Sequence, residues 1–390
     1  MPSSSFSVLP SGNWLKVSSV PVSQANELLG ASYQHYRHTE TNDTTLRTIR
    51  YAVPEALQDL VQTVVPATYF HSPRMRRETQ PSVAAVAGEL RGRVVTRQDG
   101  PYNDSVTPLF LRTLYNSLNY VPSATGRNVL GIAGYLGLYP RKDDIPIFMK
   151  AYRPDAVDAQ FSVVQINGGG YSTGEPSTEG DTNMEYSLAM SYPTPHIFYS
   201  TGGQPPVTPD SVTPANNNEP YLNWLEYVLS QPSIPQTITS GYSDDEQSVP
   251  VDYAKTVCLL FAQLGARGVS LLVDSGYGSV GGGSCEANDG SGKVRFQPMF
   301  PSTCEFEVFL YIYADTSHSS FRHAFVGPYV TSVGGTMYAG PEVAANGSSG
   351  GFSNYFERPS FQSSVVPAYL QILGSEYDGL YKCVRYLDSI

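Results

Sequence analysis

The chain is poor in charge, and poorest in positive charge. Asp, Glu, Lys and Arg make up 15% of its 390 residues, with 24 cationic against 35 anionic side chains. A formal net charge of −11 argues against a nucleic-acid or anionic-membrane surface. No apolar run approaches the ~20 residues of a membrane span, so no membrane partner is expected. Met1 opens onto Pro-Ser-Ser-Ser-Phe-Ser, with neither a basic nor an apolar stretch. No signal peptide is written there, and the true N-terminus is expected upstream. A Gly-x-x-x-x-Gly-Lys-Ser/Thr phosphate loop is missing too, as is any internal repeat.

Cysteine is scarce. Cys258, Cys285, Cys304 and Cys383 fit no metal-ligand spacing, and no histidine clusters with them. Cys285 and Cys304 bracket a polar loop and are candidates for one disulfide. Cys258 sits inside an apolar helical pattern and reads as a buried free thiol.

What is present points to a large globular chain. Hydrophobic residues reach 41%, enough for a sizeable core in two or three domains. Low Lys with 28 Tyr, 35 Gly and 30 Pro suits an extracellular hydrolase working at acid pH. Sequons at Asn42, Asn103 and Asn346 agree with a secretory route.

Periodicity divides the chain. Residues 14–70 read as an α+β unit: a strand over 14–20, a helix over 22–29, a strand pair at 32–38 and 46–52, a proline-started helix over 54–61 and a strand over 65–70. Periodicity lapses over 71–107, where His71-Ser-Pro-Arg-Met-Arg-Arg lies in a Pro/Gly/Ser-containing stretch. That stretch is expected to be a linker cut on activation, the plain alternative being a solvated loop. Beyond 108 strands at 129–136, 161–166, 196–200, 236–239 and 269–273 alternate with helices at 143–152, 181–190, 221–229 and 251–264. Such alternation predicts an α/β fold, a parallel sheet covered by helices, with ligands bound at the carboxyl ends of its strands.

Two long stretches of the first unit, NWLKVSSVPVSQANELLGASYQHYRHTE and LRTIRYAVPEALQDLVQTVVPATYF, carry a resemblance that continues through LGIAGYL, VVQINGGG, EPYLNWLEYVL, SDDEQSVPVDYAKTVCLLFAQLGARGVSLL, YVTSVGGT and GGFSNYFERPSFQ. Together they resemble the sedolisin, or serine-carboxyl, peptidases, especially the fungal tripeptidyl-peptidase branch. The resemblance implies that residues 1–70 are the C-terminal half of an activation propeptide, 71–107 a linker, and 108–390 a subtilisin-like catalytic domain lacking its C-terminal part. It further implies secretion, acid-pH cleavage of peptide or protein substrates, and a calcium site whose ligand region is absent from this chain. A monomer is expected.

The family's catalytic helix reads Glu-x-x-Leu-Asp-x-Gln-Tyr. The Glu is general base to a serine, and the Asp orients it. Asp181-Thr-Asn-Met-Glu185 is matched to that pair, with Asp181 standing for the Glu and Glu185 for the Asp; an i, i+4 spacing places both on one helix face. A base shortened by one methylene retreats, and about 1 Å of misplacement can cost ~10²-fold in rate. The plain alternative is two acids near a solvated helix start. Where the family writes Ser-Gly-Asp, whose protonated Asp helps form the oxyanion hole, this chain has Ser275-Gly276-Tyr277. Asp274 lies three residues earlier and is a second candidate for that role. The family's nucleophile motif, Gly-Thr-Ser-x-x-x-Pro, does not occur; the chain runs from Gly350-Gly351-Phe352-Ser353 to Ile390 without it. No turnover is therefore expected of these residues.

Two seams interrupt the likeness. Residues 305–327 stand between Cys304 and Pro328, where the family runs Cys-Pro-Tyr-Val-Thr. Cys304-Glu305-Phe306 is encodable as TGT-GAG-TTC, which contains GTGAGT, and Val326-Gly327 as GTA-GGC, which supplies an AG. Lys382-Cys383-Val384 is likewise encodable with a splice-donor sequence. Both 305–327 and 382–390 are expected to be translated intron, the alternative being a real insertion and a natural terminus. The competing functional class is a non-catalytic pseudopeptidase, or a propeptide-bearing fragment that binds peptides or inhibits an active relative.

Overall fold

The computed structural model describes residues 6–8, 15–37, 44–58, 60–61, 64, 67–68, 106–171, 177–281, 284–311, 322–337, 343–345, 348–375, 377 and 379–381. The three sequons, most of the linker, Cys383 and the 382–390 tail lie outside them.

In the N-terminal unit Phe6–Val8 (β1) pairs antiparallel with Leu15–Val17 (β2), and Gln34–Arg37 (β3) with Thr44–Arg47 (β4), about the helix Val22–Leu28 (α1). The pattern places the fourth strand over 46–52, but the ladder ends at Arg47. Beyond it the Thr48 amide donates to Ala67 O and the Ala52 amide to Leu29 O, so the chain has left the strand. The expected helix over 54–61 is a single 3-10 turn, Glu55–Leu57.

The main body is a six-stranded sheet built from Leu130–Gly134 (β5), Phe161–Ile166 (β6), His196–Thr201 (β7), Thr237–Ser240 (β8), Ser270–Asp274 (β10) and Thr331–Val333 (β14). Its order is β14-β10-β8-β5-β7-β6, and every neighbouring pair is parallel. Asp244–Asp245 (β9) and Met299–Phe300 (β11) form a separate antiparallel bridge. Among the described residues six helices follow α1: Pro108–Leu114 (α2), Asp144–Tyr152 (α3), Thr178–Ser191 (α4), Tyr221–Ser230 (α5), Val251–Ala266 (α6) and Val365–Leu373 (α7). Among the described residues no helix is long and apolar enough to cross a membrane.

The strands are short and apolar because both faces are covered. Side chains alternate along each strand. Ile132, Phe161 and Phe198 pack with Ile145, Met149, Met184 and Leu188 from α3 and α4. Ala133, Tyr199, Ile238, Leu271 and Val273 meet Trp224, Leu225, Val257 and Phe261 from α5 and α6 on the other side. In α6 the buried set Tyr253, Ala254, Val257, Phe261 and Leu264 follows the i, i+3, i+4 rhythm of a stripe turned to the core.

That stripe also corrects the cysteine assignment. Cys258 is disulfide-bonded to Cys304, with Cα atoms 5.2 Å apart, and Cys285 is the free one among the described residues. Cys258 sits on the buried face of α6, where the segment after β11 delivers Cys304. Cys285 is held by the Arg295 amide donating to its carbonyl, beside a Glu286–Val294 bridge, so its loop closes on itself. Burial suggested a free thiol; the partner came from 46 residues away.

Glu305–Tyr311 (β12) and Arg322–Pro328 (β13) form a two-stranded antiparallel pair that, among the described residues, joins no other sheet. Glu305 pairs with Pro328, so the two ends of the 305–327 segment lie side by side.

Candidate active-site crevice

Every strand of the parallel sheet meets a glycine within a few residues of its carboxyl end: Gly134 in β5, Gly168 after β6, Gly202 after β7, Gly241 after β8, Gly276 after β10 and Gly334 after β14. In open α/β sheets this edge is where ligands enter. At Gly276 the need for glycine is plain: φ is +87°, and a Cβ would stand 2.3 Å from Met299 Cγ and 3.0 Å from Ser243 Oγ. The β10 turn is thereby pressed onto the segment following β8.

Helix α4 flanks this edge. Ser177 starts it, its hydroxyl accepting from the Gly180 amide at 2.8 Å, which puts the first turn three residues earlier than the pattern implied. Gly180 obscured that start, yet the glycine is what lets the helix sit down. A Cβ there would be 2.5 Å from the Tyr139 carbonyl carbon.

The helix turns its acids in different directions. Asp181 is buried on the face that carries Met184 and Leu188, and its Oδ1 accepts from the Arg141 amide at 2.7 Å. It thus secures the loop between β5 and α3. Glu185 lies one turn further along that face and is half-buried. Asn183 is about 200° round the axis from Asp181. Its amide lies over the end of β8, with Nδ2 3.1 Å from where a Gly241 Cβ would stand. Glu179 sits one turn before Asn183 on that flank, also half-buried.

Tyr277 follows Gly276 in the β10 turn and is half-buried. Ser275 beside it is held in place: its amide donates to Val333 O at 2.9 Å, and its hydroxyl lies 3.1 Å from that of Ser348. Ser353 is an anchor. Its hydroxyl donates to Glu246 Oε1 at 2.5 Å while accepting from the Tyr355 and Phe356 amides, and the Asn354 amide donates to Glu246 Oε2.

Asp274 ends β10 at this edge of the sheet. Ser243 Oγ donates to its Oδ2 at 3.4 Å, and burial, with Glu219 nearby, lifts its carboxyl to about 6. Around it gather Glu219, 1% exposed, and Asp244, 6% exposed, with the Glu219 amide donating to Asp244 Oδ2. Glu219, Ser243 and Asp244 were not singled out by the sequence reading. The signal was there: acids in Asn-Glu-Pro and Ser-Asp-Asp-Glu segments that border apolar elements beside strand ends. Glu179 and Asn183 were passed over too, although Tyr186 could have served as the marker. With Tyr186 on the closing Tyr of Glu-x-x-Leu-Asp-x-Gln-Tyr, the pattern's acids fall on Glu179 and Asn183. For the calcium that the resemblance implies, no group of three or more His, Cys, Asp or Glu able to hold a metal ion occurs among the described residues.

Residues 3–70 match the model of the Pro-kumamolisin activation domain. Over 383 residues the chain is 35% identical to the probable tripeptidyl-peptidase SED3 of Arthroderma benhamiae, covering 96% of this chain and 59% of that protein. Tripeptidyl-peptidase SED3 of Arthroderma otae matches at 35% over 384 residues, with the same coverages. The chain therefore spans about three-fifths of the length of these relatives. A solved structure, Pseudomonas sedolisin (serine-carboxyl proteinase) complexed with two molecules of pseudo-iodotyrostatin, covers 68% of this chain and 67% of its own at 18% identity and a TM-score of 0.43.

Proposed function

Because this chain is a homologue of the sedolisin-type tripeptidyl peptidases, we propose that it is the propeptide and crevice-bearing part of a secreted peptidase precursor. Its substrates are peptide or protein chains with free amino termini, cut at acid pH to release tripeptides. The observation that carries the reading is 35% identity sustained over 96% of the chain. The glycine-edged crevice at the strand ends is the surface that would receive the peptide.

In the first register Asp181 is the general base, Glu185 its partner, and Tyr277 stands at the oxyanion position. The burial of Asp181 on the core face of α4, with its carboxylate on the Arg141 amide, favours the register two residues back. Glu179 then takes the base's place and Asn183 that of the orienting acid. A neutral amide at 183 can hold a carboxylate but supplies no charge; in a serine triad the same Asp-to-Asn change costs ~10⁴-fold. Loss of an oxyanion donor at 277 costs another ~10²–10³. No attacking serine in Gly-Thr-Ser-x-x-x-Pro is found among the 390 residues, so on their own they bind peptide without cutting it.

A second reading is favoured by Tyr277 and Asn183 together, since both remove an acid that the chemistry needs. In that reading the protein is a non-catalytic binder of peptides or of an active relative. Titration of the purified chain with amino-terminally free peptides at about pH 4, with mass spectrometry of the mixture, tests the proposal. Heat of binding without tripeptide release is expected. Steady release, lost on changing Glu179 or Glu185, overturns the proposed inactivity, and absence of binding overturns the crevice.

A further inference from the structure

A glycine-bearing segment, residues 348–354, runs beside the β10 turn and is fixed at both ends. At the near end the Ser349 amide donates to Gly276 O at 3.1 Å, and the Ser349 hydroxyl to Ser279 O at 2.6 Å. Ser348 precedes it, its hydroxyl accepting from the Gly335 amide at 3.0 Å. At the far end Ser353 and Asn354 both donate to the carboxylate of Glu246, a residue 0% exposed whose own amide donates to Pro298 O at 3.0 Å. Leaving that buried carboxylate without its donors would be costly, so the far end is held firmly.

Between these anchors lie Gly350, Gly351 and Phe352. The Phe352 ring is taken up in packing against Tyr369 of α7 and Tyr381, with centroids 6.1 and 5.0 Å away. Gly350 and Gly351 are exposed. A Cβ on Gly350 would meet nothing within 4 Å; one on Gly351, where φ is +151°, would stand 3.5 Å from Pro298 Cβ. Among the described residues the main-chain N–H and C=O groups of all three make no hydrogen bond. What the segment presents to solvent at the two glycines is therefore unpaired backbone with no side chain in front of it. An extended polypeptide pairs with such a stretch, and glycine permits the close approach.

We propose that residues 350–352 are a main-chain rail of the crevice, hydrogen-bonding to the backbone of a bound peptide beside the β10 turn. The rail rests on the peptide-binding reading and extends the binding surface past Gly276. Its contacts are main chain to main chain, so at this position the peptide's side chains matter little and its backbone matters most. The anchors at Ser349 and Ser353 set the rail in place beforehand, which limits the ordering entropy lost when a peptide docks.

The test is calorimetric titration of the intact chain at about pH 4 with an alanine hexapeptide bearing a free amino terminus, wild type against Gly350→Leu and Gly126→Leu. Gly350 has no positive φ and open space before it, so leucine there should leave the melting temperature within about 2 °C of the parent. Gly126, which precedes β5 at the amino end of the sheet, is equally open and serves as the control. Gly350→Leu should weaken binding about 10-fold or more, because its side chain stands where the peptide backbone must come, and Gly126→Leu should leave binding unchanged. In the wild type, exchange of amides 350–352 should slow when peptide saturates the chain. Equal affinity of wild type and Gly350→Leu, with 241–243 protected and 350–352 not, overturns the rail and leaves the crevice intact. No binding by the wild type overturns both. Slowing at 350–352 that follows protein concentration instead of peptide assigns the surface to a second copy of the chain and overturns the rail. If Gly350→Leu fails to fold, exchange at 350–352 in the wild type decides.

Discussion

Gly180→Ala tests how α4 is seated. In an open helix this change stabilises by about 1 kcal/mol, because alanine restricts the unfolded chain and suits the helix. Here the new Cβ would meet only backbone: the Tyr139 carbonyl carbon at 2.5 Å, its oxygen at 2.8 Å and Pro140 N at 2.9 Å. None of these atoms can swing aside as a side-chain tip could, so α4 must lift. Overpacking of this kind costs about 1–3 kcal/mol. Lifting also stretches the bond from the Arg141 amide to Asp181 Oδ1, a charge-assisted contact worth about 1.5–3 kcal/mol. Against the gain in propensity, a net loss of about 2 kcal/mol is expected. Gly265→Ala in α6 is the control, since nothing lies within 4 Å of its would-be Cβ. That variant should be neutral or more stable. Thermal unfolding by circular dichroism compares them; at about 2–4 °C per kcal/mol for a large domain, the two changes should separate by several degrees in opposite directions. Equal or greater stability of Gly180→Ala would refute the close seating of the helix, and with it the side on which Asn183 faces.

Two other outcomes follow from the covalent and topological arrangement. Non-reducing peptide mapping should recover a Cys258–Cys304 link and alkylate Cys285 without reduction; Cys304→Ser should cost about 4 kcal/mol from the 46-residue separation it opens, and a Cys285–Cys304 link would contradict the arrangement. Deleting 305–327 should leave the melting temperature within a few degrees of the parent, because among the described residues the strand pair joins no other sheet and its ends already lie side by side. Collapse or aggregation of that variant would mean the segment is structural.

The alternation of strand and helix was legible because each element carries a strong local signature. Helix α6 shows its apolar stripe outright, and the strands at Leu130, Phe161 and His196 are short apolar runs that both faces of the sheet can cover. The face of α4 was not legible. Glu179, Asp181 and Glu185 surround a helix whose apolar positions are few, so an i, i+4 spacing of acids fits either flank. Only contact with the Tyr139–Arg141 loop distinguishes the two. The disulfide was hidden for a similar reason, since burial of Cys258 says nothing about a partner delivered from beyond β11. The N-terminal unit departed most from its pattern: amides of Thr48 and Ala52 bond outside the expected strand. Asp274 was noticed as a neighbour of the oxyanion turn, but its environment is made by Glu219 and Ser243, 55 and 31 residues away in sequence.

The account turns on whether the carboxyl edge of the sheet is a peptide-binding surface without a cutting group. Amide hydrogen exchange of the intact chain, with and without saturating amino-terminally free peptide at about pH 4, addresses it most directly when product masses are read from the same samples. Slowed exchange at Gly241–Ser243 and Ser275–Gly278, with no tripeptide formed, is the expected result. Protection confined to the opposite edge, or tripeptide accumulating with time, would contradict it.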